Sequence, residues 1–403
     1  TGNVDNTTNA ASFSITNGAG QTADFSGLSL DSTERMTVRS DNLATGEQIT
    51  VDFSLASFAG SSFISYVGGL GDETVLGGSG DDSITGSSGD DELIGNGGND
   101  TLSGNAGTDT LFGGAGDDLL IEASGGSEGG LLSGGSGNDR IEVFSTQQGL
   151  SIDGGADTDT LELSSADIRN STISGIEFTE IASTGTITMD AEDIGDLGSV
   201  TGLLTGISFS LGSVNGQIID LSGVELTGTQ FLRVGFTGIA VDDAFTTDFS
   251  GVTFSTGSTI DYNGGFNADE FVIAGATVGN YDGRTGLDTI SFAGVSGGLT
   301  IDLDGRTVTG GNLTGTVITS FENVIGTSDD DVITGVQSTS ASTRDNEADG
   351  GDGNDVYVVD GDSADFTITT VGAQTTIVDN NASDGNDGTD ILTNFEILRF
   401  NDQ

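Results

Sequence analysis

The sequence predicts an all-β fold whose central part is a parallel β-roll, or β-solenoid, flanked by further β-rich segments that are solenoid or sandwich-like. The main evidence is six consecutive nonapeptides from Gly68 to Ile121, without insertions. The first half of each is rich in glycine, and the eighth residue is aliphatic. Because glycine tolerates the positive φ of a sharp bend, each repeat should form a bend and then a short strand with its eighth residue inward.

The sixth residue of each nonapeptide is acidic. Two repeats make one turn of 18 residues, so these acids should stack alternately on two edges of the roll. Ca²⁺ prefers hard oxygen ligands such as carboxylates and main-chain carbonyls, and we therefore expect ions between successive bends. A flexible acidic linker is the alternative, but the fixed aliphatic residue disfavours it. One edge carries Glu73, Asp91 and Asp109, and the other carries Asp82, Asp100 and Asp118.

The pattern G-G-x-G-x-D-x-U-x, where U is aliphatic, resembles the calcium-binding repeat of the RTX, or haemolysin-type, family of bacterial secreted proteins. The resemblance implies several bound Ca²⁺ ions, a secreted protein that is extracellular or at the cell surface, and type I secretion through an uncleaved C-terminal signal. Phrases such as IDLSGVEL at 219–226 and TDFSGVTF at 247–254 are similar to phrases of large RTX surface-layer and matrix proteins.

Four segments follow one another along the chain. Residues 1–67 form a β-rich N-terminal segment, since runs such as QITVDFSL at 48–55 alternate between apolar and polar residues. Residues 68–163 form the calcium-binding β-roll. Residues 164–282 form an irregular β-solenoid segment, and residues 283–403 form a C-terminal β module in which the acidic repeat returns in pieces.

Two repeats after Ile121 keep the pattern with small insertions. GGSGNDRIE at 134–142 and GGADTDTLE at 154–162 place Asp139 and Asp159 in the sixth position. Each step is close to one turn of the roll, so we expect the roll to continue to about Leu163 with calcium on one edge only. Asp157 replaces the fourth-position glycine of the last repeat, which leaves the form of that bend open.

Three isolated repeats lie in the C-terminal module. They are GRTGLDTIS, GTSDDDVIT and GGDGNDVYV, and their sixth residues are Asp288, Asp331 and Asp355. For Asp288 and Asp331 the alternative to a calcium site is an ordinary turn. The phrases ITSFENVIG at 318–326 and LTNFEILRF at 392–400 are related and indicate a duplicated strand unit.

The composition restricts partners and chemistry. The formal net charge is −54, from 63 acidic and nine basic residues. Such a charge disfavours nucleic acid and anionic membranes as partners and favours cations. No apolar run is long enough for membrane insertion. The chain has no histidine and no cysteine, so it lacks the usual catalytic base, thiol nucleophile and zinc ligands. We expect that it is not an enzyme, although a pair of carboxylates, as in a glycosidase, stays open.

These observations predict a secreted calcium-binding structural protein. It would be a subunit of a bacterial surface layer, extracellular filament or matrix, folded and made rigid by Ca²⁺ and self-associating into arrays or fibres. One alternative is an adhesin or ligand-binding fragment of a larger RTX protein. Another is an accessory region of a secreted enzyme.

Overall fold

The computed structural model divides the chain into two compact units, Thr1–Leu203 and Leu204–Gln403. The residues that the structure describes are 10–15, 20–25, 29–30, 35–40, 43–58, 63–123, 129–144, 148–182, 187–190, 196–202, 207–211, 218–220, 225–226, 231–236, 246–248, 253–254, 259–265, 268–274, 278–311, 313–335, 345–381 and 388–402. Much of the predicted segment 164–282 lies outside these ranges.

Short strands make up the first unit. They are β1 (Ala10–Ser14), β2 (Gln21–Asp24), β3 (Ser29–Leu30), β4 (Arg35–Arg39), β5 (Gln48–Asp52), β6 (Ser57–Phe58), β7 (Phe63–Val67), β8 (Asp72–Leu76), β9 (Ser83–Ser88), β10 (Glu92–Gly97), β11 (Thr101–Ala106), β12 (Thr110–Ala115), β13 (Leu119–Glu122), β14 (Leu131–Ser136), β15 (Arg140–Val143), β16 (Ser151–Ala156), β17 (Thr160–Leu163), β18 (Thr172–Ser174), β19 (Phe178–Ile181), β20 (Ile187–Met189) and β21 (Ser199–Gly202).

From β7 to β19, successive strands of this unit alternate between two parallel sheets. One sheet has the order β1-β4-β7-β9-β11-β13-β15-β17-β19-β21, and the other has the order β18-β16-β14-β12-β10-β8-β5-β2. A chain that crosses between two sheets in this way winds as a solenoid. The fold class predicted from the nonapeptides is therefore confirmed.

The register of the strands matches the predicted 18-residue turn. Leu93 lies beside Leu111, and Ile84 lies beside Leu102. The eighth-position residues of all six nonapeptides are fully buried. They form the core between the two sheets, and the alternation of buried and half-buried residues along each strand follows from the period of two in a β-strand.

From the third nonapeptide onward, two positions in each bend adopt left-handed backbone. The fourth residue does so as Gly98 (φ 106°) and Gly107 (φ 152°), and the second does so as Asn96 (φ 74°). Asp157 takes the fourth position with φ 86°, so the last bend keeps its form without the glycine. Asparagine and aspartate tolerate this region better than most residues.

The second unit is also built of short strands. They are β22 (Ile207–Leu211), β23 (Ile218–Asp220), β24 (Glu225–Leu226), β25 (Phe231–Phe236), β26 (Thr246–Asp248), β27 (Thr253–Phe254), β28 (Thr259–Asn263), β29 (Glu270–Ala274), β30 (Gly279–Asp282), β31 (Thr289–Gly294), β32 (Leu299–Asp302), β33 (Thr307–Gly310), β34 (Thr316–Thr319), β35 (Asn323–Ile325), β36 (Val332–Thr334), β37 (Glu347–Asp349), β38 (Val356–Val358), β39 (Phe366–Val371), β40 (Gln374–Asp379), β41 (Thr389–Thr393) and β42 (Ile397–Arg399), with a 3-10 helix at Ser363–Asp365.

Parallel pairing also dominates this unit, with two antiparallel insertions. One sheet contains the order β22-β25-β28-β30-β34-β33-β32-β36-β38-β42, and the other has the order β23-β26-β29-β31-β35-β37-β41-β40-β39. β33 pairs antiparallel with β32 and β34, and β40 pairs antiparallel with β39 and β41. β33 thus lies between two other strands of the first sheet, whereas β40 and β39 extend the second sheet at its end.

The division of the sequence into four segments remains a prediction. Strand pairing continues across two of its boundaries in the first unit. β7 pairs with β9 across the boundary between residues 67 and 68, and β17 pairs with β19 across the boundary between residues 163 and 164.

Candidate calcium sites

The sixth-position acids of the roll form two columns of hydrogen bonds, one along each edge. In the first column, comprising Glu73, Asp91 and Asp109, the main-chain N–H of Glu73 donates to Asp91 Oδ1 (2.8 Å), and that of Asp91 donates to Asp109 Oδ1 (2.9 Å). In the second column, the N–H of Asp82 donates to Asp100 Oδ1 (2.6 Å), and that of Asp100 donates to Asp118 Oδ1 (2.7 Å). One carboxylate oxygen of each acid thus holds the preceding turn.

The second column continues beyond the six nonapeptides. The N–H of Asp118 donates to Asp139 Oδ1, and that of Asp139 donates to Asp159 Oδ1, both at 2.8 Å. The first column has no such acid in its next turn, because the pairing of Thr110 with Leu131 sets Gly130 beside Asp109. The structure therefore brings both later acids to one edge, as the spacing predicted.

The other oxygen of most of these acids is buried without a donor. A buried ionised carboxylate oxygen that accepts no hydrogen bond is costly unless a cation neutralises it. Among the acids predicted from the repeats, the buried oxygens without a donor are Glu73 Oε2 and the Oδ2 atoms of Asp91, Asp100, Asp109, Asp118, Asp139, Asp159, Asp288 and Asp355.

Each of these oxygens lies over the first-position glycine of its own repeat. A Cβ atom on Gly95 would be 2.1 Å from Asp100 Oδ2 and 2.6 Å from the carbonyl oxygen of Gly113, one turn further on. Glycine at this position thus leaves room for a carboxylate oxygen and a carbonyl oxygen together. Carboxylate and carbonyl oxygens are the ligands that Ca²⁺ takes in proteins, so the residues present fit this ion.

Burial raises the pKa of the acids in both columns. Desolvation is the main cause for Asp91, whose pKa rises to about 9, and for Asp100, whose pKa rises to about 8. The charge of Glu73 adds to the effect at Asp91, and the charges of Asp82 and Asp118 add to it at Asp100. A bound divalent cation would provide the positive charge that the ionised forms lack.

The first acid of a column is held differently from those that follow it. Asp82 accepts hydrogen bonds on both oxygens, from the N–H of Ile64 (2.8 Å) and of Gly78 (2.7 Å). Asp331 Oδ1 accepts from the N–H of Leu299 (2.6 Å), and its Oδ2 accepts from the N–H of Thr327 (2.6 Å). Protein donors thus satisfy both oxygens of these two predicted ligands.

Glu73 begins the first column and combines both arrangements. Its Oε1 accepts from Ser40 Oγ (3.1 Å) and from the N–H of Gly69 (2.8 Å), whereas Oε2 is buried without a donor. Burial raises its pKa. Oε1 is thus satisfied by donors at the start of the column, whereas Oε2 lies over Gly68, the first glycine of the first repeat.

The isolated repeats of the second unit also belong to columns. The N–H of Asp269 donates to Asp288 Oδ1 (2.8 Å), and that of Asp331 donates to Asp355 Oδ1 (2.7 Å). Asp269 precedes Asp288 by one turn and is buried. The sequence analysis missed Asp269, although GGFNADEFV at 264–272 keeps the two glycines and the sixth-position aspartate. This stretch departs from the nonapeptide at its fourth and eighth positions, which are Asn267 and Phe271.

Three glutamates that the sequence analysis did not identify end these columns. Glu177 Oε2 accepts from the N–H of Asp159 (2.8 Å), Glu322 Oε2 from that of Asp288 (3.2 Å), and Glu396 Oε2 from that of Asp355 (2.8 Å). The carbonyl of each aspartate accepts in return, for example from the N–H of Glu396 (3.2 Å). Each glutamate thus closes the last bend from one turn away.

A short sequence pattern marks these closing glutamates. The residue two positions earlier adopts left-handed backbone, as Gly175 (φ 63°), Ser320 (φ 60°) or Asn394 (φ 57°), and an apolar residue stands between. This bend is shorter than that of a nonapeptide, and the longer side chain of glutamate reaches the aspartate of the preceding turn. The related phrases at 318–326 and 392–400 contained this signal.

Carboxylates alone do not complete these sites. Within the part of the chain that the structure describes, no group of three or more acidic side chains could hold a metal ion together. Main-chain carbonyl oxygens of the bends must therefore supply the remaining ligands, which is consistent with their convergence at the glycine positions.

The family model of the RTX calcium-binding nonapeptide repeat matches the chain over residues 67–102 and again over residues 85–120. These residues are RTX calcium-binding repeats. The match covers both columns from Glu73 to Asp118 and a minority of the chain. No curated protein matches the sequence. Among the described residues, no helix is long and apolar enough to cross a lipid bilayer.

Replacing one acid of the RTX repeats tests the role of its charge. Asp100→Asn keeps an acceptor for the N–H of Asp82 but removes the negative charge. We expect the variant to need more calcium for folding and to lose about 2 kcal/mol of unfolding free energy in saturating calcium. Calcium titrations followed by circular dichroism, and thermal melts in calcium, measure both effects.

The matched control is Asp157→Asn. Asp157 lies in a bend of the same roll, its side chain is exposed, and asparagine tolerates its left-handed backbone. We expect a change within about 0.5 kcal/mol. Equal losses in the two variants would contradict a specific role for the buried acid.

Proposed function

We propose that the protein is a secreted, calcium-dependent structural protein that assembles into a bacterial surface layer, extracellular filament or matrix. The observation that carries the proposal is the pair of columns along the RTX repeats, where buried carboxylates lack hydrogen-bond donors. Calcium is abundant enough outside cells to fill many sites of modest affinity. RTX repeats are typical of secreted proteins, and type I secretion is the route that they imply.

An exposed sheet edge in the second unit supports self-association. β39 ends the order of its sheet, and its residues are exposed or half-buried. Residues 366–378, which include β39 and most of β40, contain no charged side chain. Because the chain carries a net charge of −54, two copies can approach most easily where the charge is absent. An unpaired strand edge is also a ready site for pairing with another strand.

Electron microscopy of the purified protein tests this assembly. We expect ordered arrays or fibres in calcium and their loss in chelator. Ile368→Lys, on β39, places a charge at the proposed edge and should suppress assembly. Val317→Lys is the control, since Val317 is 40% exposed and Ile368 is 43% exposed. Monomers that persist in calcium would contradict the proposal.

A ligand-binding fragment of a larger RTX protein, such as an adhesin, is the second candidate. A cavity of about 450 Å³ in the second unit favours it. Polar and acidic side chains line this cavity, among them Glu270, Thr289, Asn323 and Glu347. Calcium-dependent monomers that bind a soluble ligand would support this function over assembly.

We further propose that the protein is not an enzyme. The sequence contains neither histidine nor cysteine, and every column of acids described above has a structural role in joining turns. An accessory region of a secreted enzyme would also lack catalytic groups. Assembly of the isolated protein into arrays separates the structural function from the accessory one.

A further inference from the structure

Glu122 is a buried acid outside the repeat pattern. It is the last residue of β13 and is fully buried. Neither of its carboxylate oxygens accepts a hydrogen bond from any residue that the structure describes. A carboxylate in this position is either protonated or paired with a cation, because an ionised group without a partner is costly to bury.

The register of the roll shows which position Glu122 occupies. Ser103 pairs with Ile121, so Glu122 lies beside Gly104, the first-position glycine of the repeat that ends in Asp109. On its other side Glu122 pairs with Val143. Glu122 therefore lies between a glycine in the preceding turn and a valine in the following turn. An aliphatic residue such as valine would continue the row that begins with Val143.

The neighbour of Glu122 along this edge is Asp109. A Cβ atom on Gly104 would be 2.2 Å from Asp109 Oδ2, which is itself buried without a donor. Glu122 and the carboxylate of Asp109 thus both lie next to Gly104, and both residues are buried.

The first column lacks a sixth-position acid in the turn that follows Asp109. Asp91 Oδ1 and Asp109 Oδ1 each hold the turn before them, but Gly130 lies where the next sixth-position acid would be. Glu122 is the last residue of β13 and lies one turn after Gly104, the first-position glycine of the repeat that contains Asp109. Its longer side chain and buried oxygens suit the role of the missing carboxylate.

We propose that Glu122 and Asp109 together bind a divalent cation, Ca²⁺ in the conditions that fill the RTX repeats, and that this site closes the first column. The inference rests on the proposed calcium binding of the repeats. The side chain of Glu122 supplies from the first position of the bend the negative charge that the sixth position lacks. Two carboxylates balance the charge of one Ca²⁺ ion.

Counting the bound calcium ions in the full chain tests this site. Equilibrium dialysis and isothermal titration calorimetry with CaCl₂ should show that Glu122→Gln binds one ion fewer than the unchanged protein, or binds one ion at least tenfold more weakly. The control is Glu92→Gln, since Glu92 is an exposed glutamate of the same roll. It should keep the full number of ions.

Glu122→Leu is a second variant, designed to fold without the ion. Leucine continues the aliphatic row of Val143, and we expect this variant to fold in calcium and to bind one ion fewer. If Glu122→Gln or Glu122→Leu folds and binds the full number of ions with unchanged affinities, Glu122 is a buried neutral acid and this inference alone is wrong. If the unchanged protein binds no calcium, the calcium-binding function itself is wrong, and this inference with it.

Discussion

In a calcium chelator at pH 8, the far-ultraviolet circular dichroism spectrum of this protein is expected to be mostly that of a coil, and calcium is expected to restore the β spectrum. The buried carboxylates of both columns have no donors for their second oxygen. One buried aliphatic side chain in each nine-residue repeat is too little burial to offset the conformational entropy of the ordered backbone. Metal binding must therefore be coupled to folding.

Magnesium distinguishes site binding from the screening of charge. Mg²⁺ has the same charge as Ca²⁺, but it demands octahedral geometry and dehydrates reluctantly. At equal concentration and ionic strength it should leave most of the chain unfolded. A fully β spectrum in chelator would contradict coupled folding, and recovery in magnesium equal to that in calcium would show that general charge neutralisation is enough.

The sequence predicts those parts of the fold in which each position of the repeat has the same structural role in every turn. Leu102 is inward in its strand and Asp109 is in its column because the nine-residue period places them there. The same period gave the pairing of strands, since residues 18 apart lie side by side, as Leu93 and Leu111 do.

The closing glutamates could not be predicted in this way because they belong to shorter bends. Glu322 and Glu396 are not in sixth positions, and their role depends on an N–H group from a turn more than 30 residues earlier. Only the three-dimensional register brings these atoms together. The left-handed residue two positions earlier is a local signal, but a single sequence shows it only after its role is known.

Glu122 was missed for a different reason. Position one of all six nonapeptides is a glycine, so a glutamate at the next such position breaks the pattern, and the consecutive repeats end at Ile121. The structure shows that the edge continues and that the break places a carboxylate inside it. A residue that departs from the repeat can therefore indicate a functional side chain where the strand pairing of the solenoid continues on both sides of it.

The second large effect is expected for Gly95→Ala. Its Cβ atom would be 2.1 Å from Asp100 Oδ2 and 2.6 Å from the Gly113 carbonyl oxygen, so the methyl group occupies the space where these two oxygens meet. The backbone cannot give way without moving the next turn. We expect a loss of about 3 kcal/mol or more of unfolding free energy in saturating calcium, together with loss of calcium binding at this bend.

Gly97→Ala is a matched control in the same strand, β10. The nearest atom to its Cβ would be the Ala115 carbonyl oxygen at 3.8 Å, an ordinary contact, and its effect should be within about 1 kcal/mol. Thermal melts in calcium and the number of bound ions measure both variants. Asp100→Ala removes the carboxylate, so adding Gly95→Ala to that background should cost less than in the unchanged protein. If the losses of unfolding free energy are strictly additive, the two positions are not coupled. Glycine at position 95 is then not required to make room for the Asp100 carboxylate.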